Sequence, residues 1–324
     1  MSRPLRGPSQ ACERIGEFGA MSGDSAPSML RPAVALPFLL VCLIWGSTWW
    51  VITGQIGDVP ASWSVAWRFL MATPAMFAVA LAMGRSLKLG AAGQQLAFFV
   101  GVTQFCGNYN FVYRAELHLT SGIVAVMIAL LLVPNTILGR FLLNQVITRR
   151  FAVGSVIAIA GIALLLLHEA REAPVQGKVF LGVGFALIAM LCASVSNVMQ
   201  ANEVGQRLPM VSLLAWAMLY GTICNVVIAL LTAGPPVVPS SLGYWLGTGY
   251  LALFGSVVTF PLYYTLIRQL GAGKAAYNGV AVVVIAMLFS TLLEGYRWTP
   301  VAISGALLSM VGLIVALSAR RPAA

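Results

Sequence analysis

The stretch from Val34 to Leu70, VALPFLLVCLIWGSTWWVITGQIGDVPASWSVAWRFL, decides the fold. It contains two apolar runs separated by a short turn of glycine, aspartate and proline. A helix that crosses a bilayer needs about 20 apolar residues, so each run is long enough to be a span. The second run carries Arg68, and an arginine within a span is costly enough to require a partner or a function. The stretch therefore predicts two spanning helices and one candidate functional residue.

The composition extends this prediction to the whole chain. Hydrophobic residues make up 60% of the sequence, charged residues 9%, and the mean hydropathy is +0.90. A soluble domain carries roughly 25% charged residues. The apolar runs are near-continuous and lack the alternation of barrel strands. We therefore predict an all-α integral membrane protein with the lipid bilayer as its environment.

Ten apolar segments are predicted along the chain. They cover residues 33–54, 62–83, 93–113, 119–139, 151–168, 179–200, 210–232, 243–266, 275–293 and 301–318. Short connections rich in turn formers separate them, and none is long enough to hold a further domain. Residues 1–32 are polar and mixed in charge, which predicts a disordered cytoplasmic tail, and residues 319–324 form a second tail.

The basic residues predict the orientation. With the N-terminus inside, 14 of the 19 lysines and arginines lie inside and four outside, and Arg68 lies within a span. This bias follows the positive-inside rule and predicts a multi-pass protein of the cell membrane with both termini cytoplasmic. It also accounts for the net charge of +10, so we predict no nucleic-acid partner.

An internal repeat divides the segments into two halves, 33–168 and 179–318. A shift of 151 residues places Gly154 on Gly305 and Gly161 on Gly312, and a shift of 149 places Trp67 on Trp216. Each half has five spans, an odd number, so the second half must be inverted relative to the first. Inverted repeats are typical of secondary transporters, which bind their solute between the halves.

The residues also resemble a known family. LIWGSTWWVI followed by VAWRFL is similar to the first two helices of EamA-type members of the drug/metabolite transporter superfamily. The resemblance continues through Pro134, the Leu-Leu pair at 142–143, the helix from Gly154 to Gly161, LLEGYRW, and the helix from Gly305 to Gly312. It covers about residues 33–318 and implies two inverted five-helix EamA repeats, without indicating a substrate.

Two departures from the family pattern affect what the resemblance implies. The family often has Gly-Glu at the end of the fourth helix of each repeat, whereas the first copy here reads Asn144-Gln145 and only the second keeps an acid, Glu294. Ile285 stands in the second copy where the first has Pro134. The first span contains no acid, so the glutamate that couples drug to proton in the short multidrug exporters has no counterpart.

Arg68 is predicted to lie roughly 7–9 Å inside the outer end of the second span. It could anchor an anionic group of a solute or act as a gate that pairs with an acid. It could equally form a structural ion pair or extend to the interface. Glu116 and Glu294, near span ends on the outer side, are its candidate charge partners; either could instead be an ordinary loop charge.

Other polar or aromatic residues within the spans are candidates for the solute path. Amides and hydroxyls that face lipid lose their hydrogen bonds, so these residues are predicted to point into the bundle. A polar path and hydrogen bonds between helices both fit this pattern. The candidates are Trp45, Ser47, Gln104, Asn108, Ser194 and Asn197. For Gly154, Gly161, Gly305 and Gly312 we predict close helix packing.

The sequence favours a transporter over other membrane functions. It has no motif for a metal, a phosphate or a catalytic nucleophile, and its five cysteines are spread singly along the chain, which predicts no cofactor, metal site or enzyme activity. We predict a secondary transporter that moves a small metabolite or drug-like solute by alternating access, with export favoured from the habit of the family. A channel or a non-transporting membrane scaffold is the alternative. No feature indicates an oligomeric state.

Overall fold

The computed structural model describes residues 32–143, 146–172, 178–270 and 277–318. Residues 1–31 of the predicted N-terminal tail (1–32), the predicted C-terminal tail (319–324) and the Asn144-Gln145 pair lie outside the described residues, and Pro32 begins the first helix. Within them the chain is helical and contains no strand, which confirms the all-α prediction for this part of the protein.

The helices are numbered in chain order, and two stretches of π-helix are numbered separately. The first half contains α1 Pro32–Thr53, α2 Ala61–Ala82, α3 Gly90–Val100, π1 Gly101–Asn108, α4 Tyr109–Ala115, α5 Ser121–Ala129, α6 Leu132–Leu143 and α7 Arg149–Glu172. The second half contains α8 Val179–Gln200, α9 Glu203–Arg207, α10 Met210–Ala233, α11 Leu242–Ala252, π2 Leu253–Val258, α12 Thr259–Leu270, α13 Tyr277–Leu293 and α14 Pro300–Leu317.

Eight helical stretches of the described residues are long and apolar enough to cross a membrane. They are Val34–Thr53, Ala61–Ala82, Ser121–Leu142, Arg149–His168, Val179–Gln200, Met210–Ala233, Leu242–Leu266 and Pro300–Leu317. Asn278–Leu293 is apolar but shorter. The stretch α3–π1–α4 is also continuous helix and packs against α8 and α10. These features identify a multi-pass membrane protein.

A proline explains the break between α5 and α6. Pro134 has no N–H to donate, and its ring collides with the carbonyl group four residues earlier, which is that of Leu130. The α-helix accordingly stops at Ala129 and resumes at Leu132. The predicted fourth span is therefore two short helices joined by a turn at Leu130 and Leu131.

The π-helical stretches occur at related places in the two halves. π1 lies in the third predicted segment and π2 in the eighth, which is the third segment of the second half. A π turn is wider than an α turn and shifts the side chains that follow it, and such turns are often found at functional sites. Gln104 and Asn108 lie in π1, and Ser256 lies in π2.

The four candidate packing glycines form one reciprocal contact between α7 and α14. A Cβ on Gly154 would lie 2.7 Å from the Gly312 oxygen, and one on Gly312 would lie 2.7 Å from the Gly154 oxygen. Gly161 and Gly305 face each other in the same way. The two backbones therefore touch along antiparallel helices, and no side chain fits between them.

A second contact joins the halves near the centre of the largest apolar core. Thr73 Oγ1 of α2 lies 2.8 Å from Thr222 Oγ1 of α10, and both residues are buried. The surrounding core includes Met76, Leu214 and Met218. The two threonines are 149 residues apart, which is the offset that places Trp67 on Trp216.

We expect Gly161→Val to destabilise the protein, because the added side chain would collide with the backbone of Ser309 and Gly305. Overpacking of this kind should lower the melting temperature in detergent by about 5 °C or more. Gly184→Val is the matched control, since a Cβ at Gly184 of α8 would meet nothing within 4 Å. Equal melting temperatures for the two variants would contradict close α7–α14 packing.

Candidate functional site

A cavity of about 240 Å³ lies between the two halves of the described chain. A cavity of this volume is large enough for a small solute. Residues of both halves line it, including Trp45 and Asn108 from the first and Tyr264 and Asn278 from the second.

The cavity is open at one end and closed at the other. The open end lies where α14 ends, and its lining residues Leu131, Asn135 and Leu317 are partly exposed. At the deep end the lining includes Arg68, whose exposed fraction is only 2%.

Arg68 is held by neutral groups. Its Nε and Nη2 atoms donate to the hydroxyl of Ser256, at 3.2 and 3.1 Å. Nη2 is also 3.5 Å from the Gly255 oxygen, and Nη1 donates to the Tyr113 hydroxyl at 3.4 Å. Among the described residues the single ion pair is the exposed Glu203–Arg207 pair, so no carboxylate directly neutralises this guanidinium.

The backbone of π2 makes room for the guanidinium. A Cβ on Gly255 would lie 3.1 Å from Arg68 Nη2 and 3.0 Å from Thr48 Cγ2. The next residue, Ser256, donates its hydroxyl proton to the carbonyl oxygen of Leu251, five residues earlier, at 3.1 Å. That bond leaves the oxygen lone pairs of Ser256 for Arg68 and fixes the position of the acceptor.

Aromatic side chains cover the wall beside Arg68. The guanidinium carbon lies 4.5 Å from the ring centre of Tyr109, a cation–π distance. Trp45 packs edge-on against Phe260 and lies 4.9 Å from the Tyr263 ring. All of these aromatic residues line the cavity, which is therefore mainly apolar with one buried positive charge.

Several side-chain amides also face the cavity: Gln104, Asn108, Asn135, Asn197 and Asn278. The carbonyl oxygens of Asn108 and Asn135 are buried and accept no hydrogen bond from the protein. Rotation of either side chain toward the cavity would let its oxygen accept a hydrogen bond from a solute. The cavity thus offers a cation that recognises an anion, and oxygens that recognise hydrogen-bond donors.

A hydrogen-bond network between the halves closes the other end of the bundle. Gln55, which follows α1, donates from Nε2 to the Tyr244 oxygen at 3.3 Å and accepts the Thr248 hydroxyl at Oε1. Its own carbonyl oxygen accepts from Ser64 Oγ, which in turn accepts from the Tyr244 hydroxyl at 2.9 Å. The predicted span ends are therefore tied together where α1 stops and α2 and α11 begin.

The structure places the predicted site residues in three groups. Trp45, Arg68, Gln104, Asn108 and Asn197 line the cavity. Ser47 and Ser194 are absent from its lining. The first bonds to Tyr250 Oη at 2.7 Å, and the second is fully buried in α8.

The third group is the pair of predicted charge partners. Glu116 and Glu294 lie outside ion-pair distance of Arg68, so the direct pairing considered from the sequence is absent between these described residues. Glu294 instead accepts from Ser121 N and Ser290 Oγ.

Sequence reasoning missed Thr48, Ser256 and Gln55. Ser256 lies 188 residues from Arg68 along the chain, and Gln55 lies just after the first span. Serine and glutamine are common in such places, so neither residue stands out in the sequence. The Gly-Ser pair at 255–256 gave no periodic signal, because π2 departs from the α-helical repeat that sequence patterns reveal.

The sequence of both halves matches one protein family. The EamA-like transporter family matches residues 33–167 and again residues 180–318. The chain belongs to the EamA-like transporter family. The family predicted from the sequence is thereby confirmed, and membership of this family identifies the chain as a membrane transporter.

Curated relatives agree over most of their length. Protein PagO of Salmonella typhimurium is 22% identical, with 90% of this chain and 95% of that protein aligned. A protein of the same organism described as a probable amino-acid metabolite efflux pump is 25% identical over 86% of this chain and 92% of its own length. The uncharacterized inner membrane transporter YedA of Escherichia coli K12 is 29% identical, with 78% and 80% covered.

A crystal structure supports the fold. The two sequences are 18% identical, and the superposed region covers 88% of this chain and 96% of the other chain with a TM-score of 0.66. At this identity the match concerns the fold alone.

We expect cysteine labelling to distinguish the two ends of this EamA-like bundle. In a variant whose five native cysteines are replaced by alanine, Asn135→Cys should react with a water-soluble maleimide in detergent, because Asn135 lines the open end. Thr248→Cys should react much more slowly, because Thr248 is fully buried in the closed end. Equal labelling rates, measured by mass shift over time, would contradict a cavity open at one end.

Proposed function

We propose that the protein is a secondary transporter that exports a small amino-acid-like solute across the cell membrane by alternating access. One observation carries the proposal: a buried arginine with neutral partners stands at the closed end of a cavity between the two halves. A charge that is buried in a membrane bundle is expensive and marks a functional site by default.

Three features support an architecture of two inverted five-helix repeats with ten spans. Repeat-related glycines contact one another crosswise, Gly154 with Gly312 and Gly161 with Gly305, which is the pattern expected around a two-fold axis. Thr73 and Thr222, related by the repeat offset, touch each other. The π stretches recur in the third segment of each half.

The chemistry of the cavity supports the choice of solute. A carboxylate matches the fork of an arginine and would form charge-assisted hydrogen bonds with it. The free carbonyl oxygens of Asn108 and Asn135 suit an ammonium group, and the aromatic wall suits an apolar side chain. One relative is described as a probable amino-acid metabolite efflux pump, and amino acids combine these three groups.

The basic residues support the direction of opening. The positive-inside bias assigns the end at which α1 begins and α14 ends to the cytoplasm. The cavity opens at that end, and we therefore assign this conformation to the inward-facing state of the proposed cycle. The Gln55–Tyr244–Thr248 network would then be the outer gate, which must break for release outside.

No specific observation favours the alternative functions. A channel needs a path that is open at both ends at once, whereas the described bundle is closed by the Gln55 network. A scaffold has no need of a buried guanidinium at the end of a solvent-accessible cavity.

The proposal predicts saturable flux that depends on Arg68. In proteoliposomes preloaded with a panel of radiolabelled amino acids, at least one should leave with saturable kinetics, and its carboxamide analogue should not compete. Arg68→Gln should lower kcat/KM by roughly 10- to 100-fold, because a hydrogen bond to a charged group contributes about 1.5–3 kcal/mol.

Arg85→Gln is the control for this experiment, since Arg85 is exposed and follows α2. The melting temperature of each variant in detergent would show that the protein is folded. Saturable flux that is the same in folded Arg68→Gln protein would refute the role of Arg68. Flux without saturation would favour a channel.

A further inference from the structure

A buried acid near the closed end is not used by the proposed solute site. Glu116 follows α4 directly, and its exposed fraction is 7%. Neither of its carboxylate oxygens has a hydrogen-bond partner. An ionised carboxylate in such surroundings is strongly disfavoured, whereas a protonated one is neutral and much cheaper to bury.

A second carboxyl group, that of Glu294, lies against the end of the turn that contains Glu116. Glu294 follows α13 directly, and its Oε2 atom accepts from the Ser290 hydroxyl at 2.8 Å and from the Ser121 N–H at 3.2 Å. Ser121 begins α5 immediately after the turn that contains Glu116. The second oxygen of Glu294, Oε1, has no partner, and the side chain is half-buried. Glu116 therefore lacks partners on both of its oxygens, and Glu294 on one.

The charges around Glu116 come from several elements. Arg68 of α2 is attractive and Glu294 is repulsive, and both act on Glu116 through space. Tyr113 lies one helical turn earlier in α4. His118 and Lys178 interact at the neighbouring end of α8, and His168 of α7 packs against Tyr296. Burial, and then the nearby Glu294, raise the pKa of Glu116 well above its ordinary value, while Arg68 opposes the shift.

We propose that Glu116 is a proton-binding site that controls how strongly Arg68 binds an anion. A buried carboxylate whose two oxygens lack donors holds a proton readily, because nothing around it stabilises the ionised form and the charge of Glu294 disfavours that form further. The proton resides on a carboxylate oxygen of Glu116 and is exchanged with water.

Tyr113 links Arg68 to the helix that ends beside Glu116. Its hydroxyl accepts from Arg68 Nη1, and Glu116 follows three residues later on the same face. The negative charge of ionised Glu116 weakens the attraction of Arg68 for a solute carboxylate. Protonated Glu116 is neutral and leaves that attraction at full strength. Proton and anion therefore reinforce each other's binding by the same factor. This coupling rests on the proposed anion site, whereas the proton site does not.

Infrared spectroscopy of the purified full-length protein tests the proton site without any solute. The chain has nine aspartates and glutamates, so the C=O stretch of a buried protonated carboxyl is observable against few others. We expect such a band to disappear as the pH rises from about 5 to about 10, with a midpoint well above that of an exposed glutamate. Glu116→Gln should remove it.

Glu203→Gln is the matched control, because Glu203 is exposed and paired with Arg207 on the surface; this variant should keep the band. In Arg68→Gln the midpoint should rise by about one pH unit or more, since an attractive cation is lost. The proton site would be overturned if the band persisted in Glu116→Gln, or if it kept the wild-type frequency in Glu116→Asp. A band whose intensity did not change with pH would also overturn it. An unchanged midpoint in Arg68→Gln would overturn the coupling, and neither result depends on observing transport.

Discussion

The burial of one guanidinium group governs the arrangement of this bundle. Arg68 is a first-half residue that finds its main acceptor, Ser256, in the second half. In a low-dielectric interior an arginine must be surrounded by acceptors or be displaced to the interface. The π2 stretch supplies them, because it offers a hydroxyl and a backbone carbonyl beside a glycine that leaves space for the side chain. The deep end of the cavity is the result of this arrangement.

The contacts between the halves differ in how much they allow movement. Along α7 and α14, backbone meets backbone at paired glycines, and a packed interface without side chains has few alternative arrangements. Around the cavity, long aromatic and amide side chains separate the helices. The closed end depends on a few hydrogen bonds centred on Gln55. A closely packed seam on one side and a few breakable hydrogen bonds on the other are compatible with the rocking motion of the proposed transport cycle.

Much of this architecture is predictable from the sequence, because membrane insertion leaves few choices. Apolar length gives the spans, and the small residues at Gly154 and Gly305 indicate close packing. Arg68, Asn108 and Asn197 stand out because polar groups in lipid need inward partners. Ser256 and the burial of Glu116 do not stand out. The first depends on a π turn with no sequence period, and the second on a turn that folds against a distant helix end.

The glycine seam also orders the assembly of the protein in time. α7 completes the first half, yet its glycine groove fits only α14, the last helix of the described chain to be synthesised. Until α14 enters the bilayer, lipid chains must fill the groove that a backbone later occupies. Earlier contacts, such as that between Thr73 and Thr222, can form while the ribosome is still working. The seam can therefore close only after α14 has been synthesised, later than contacts between helices that precede it in the chain.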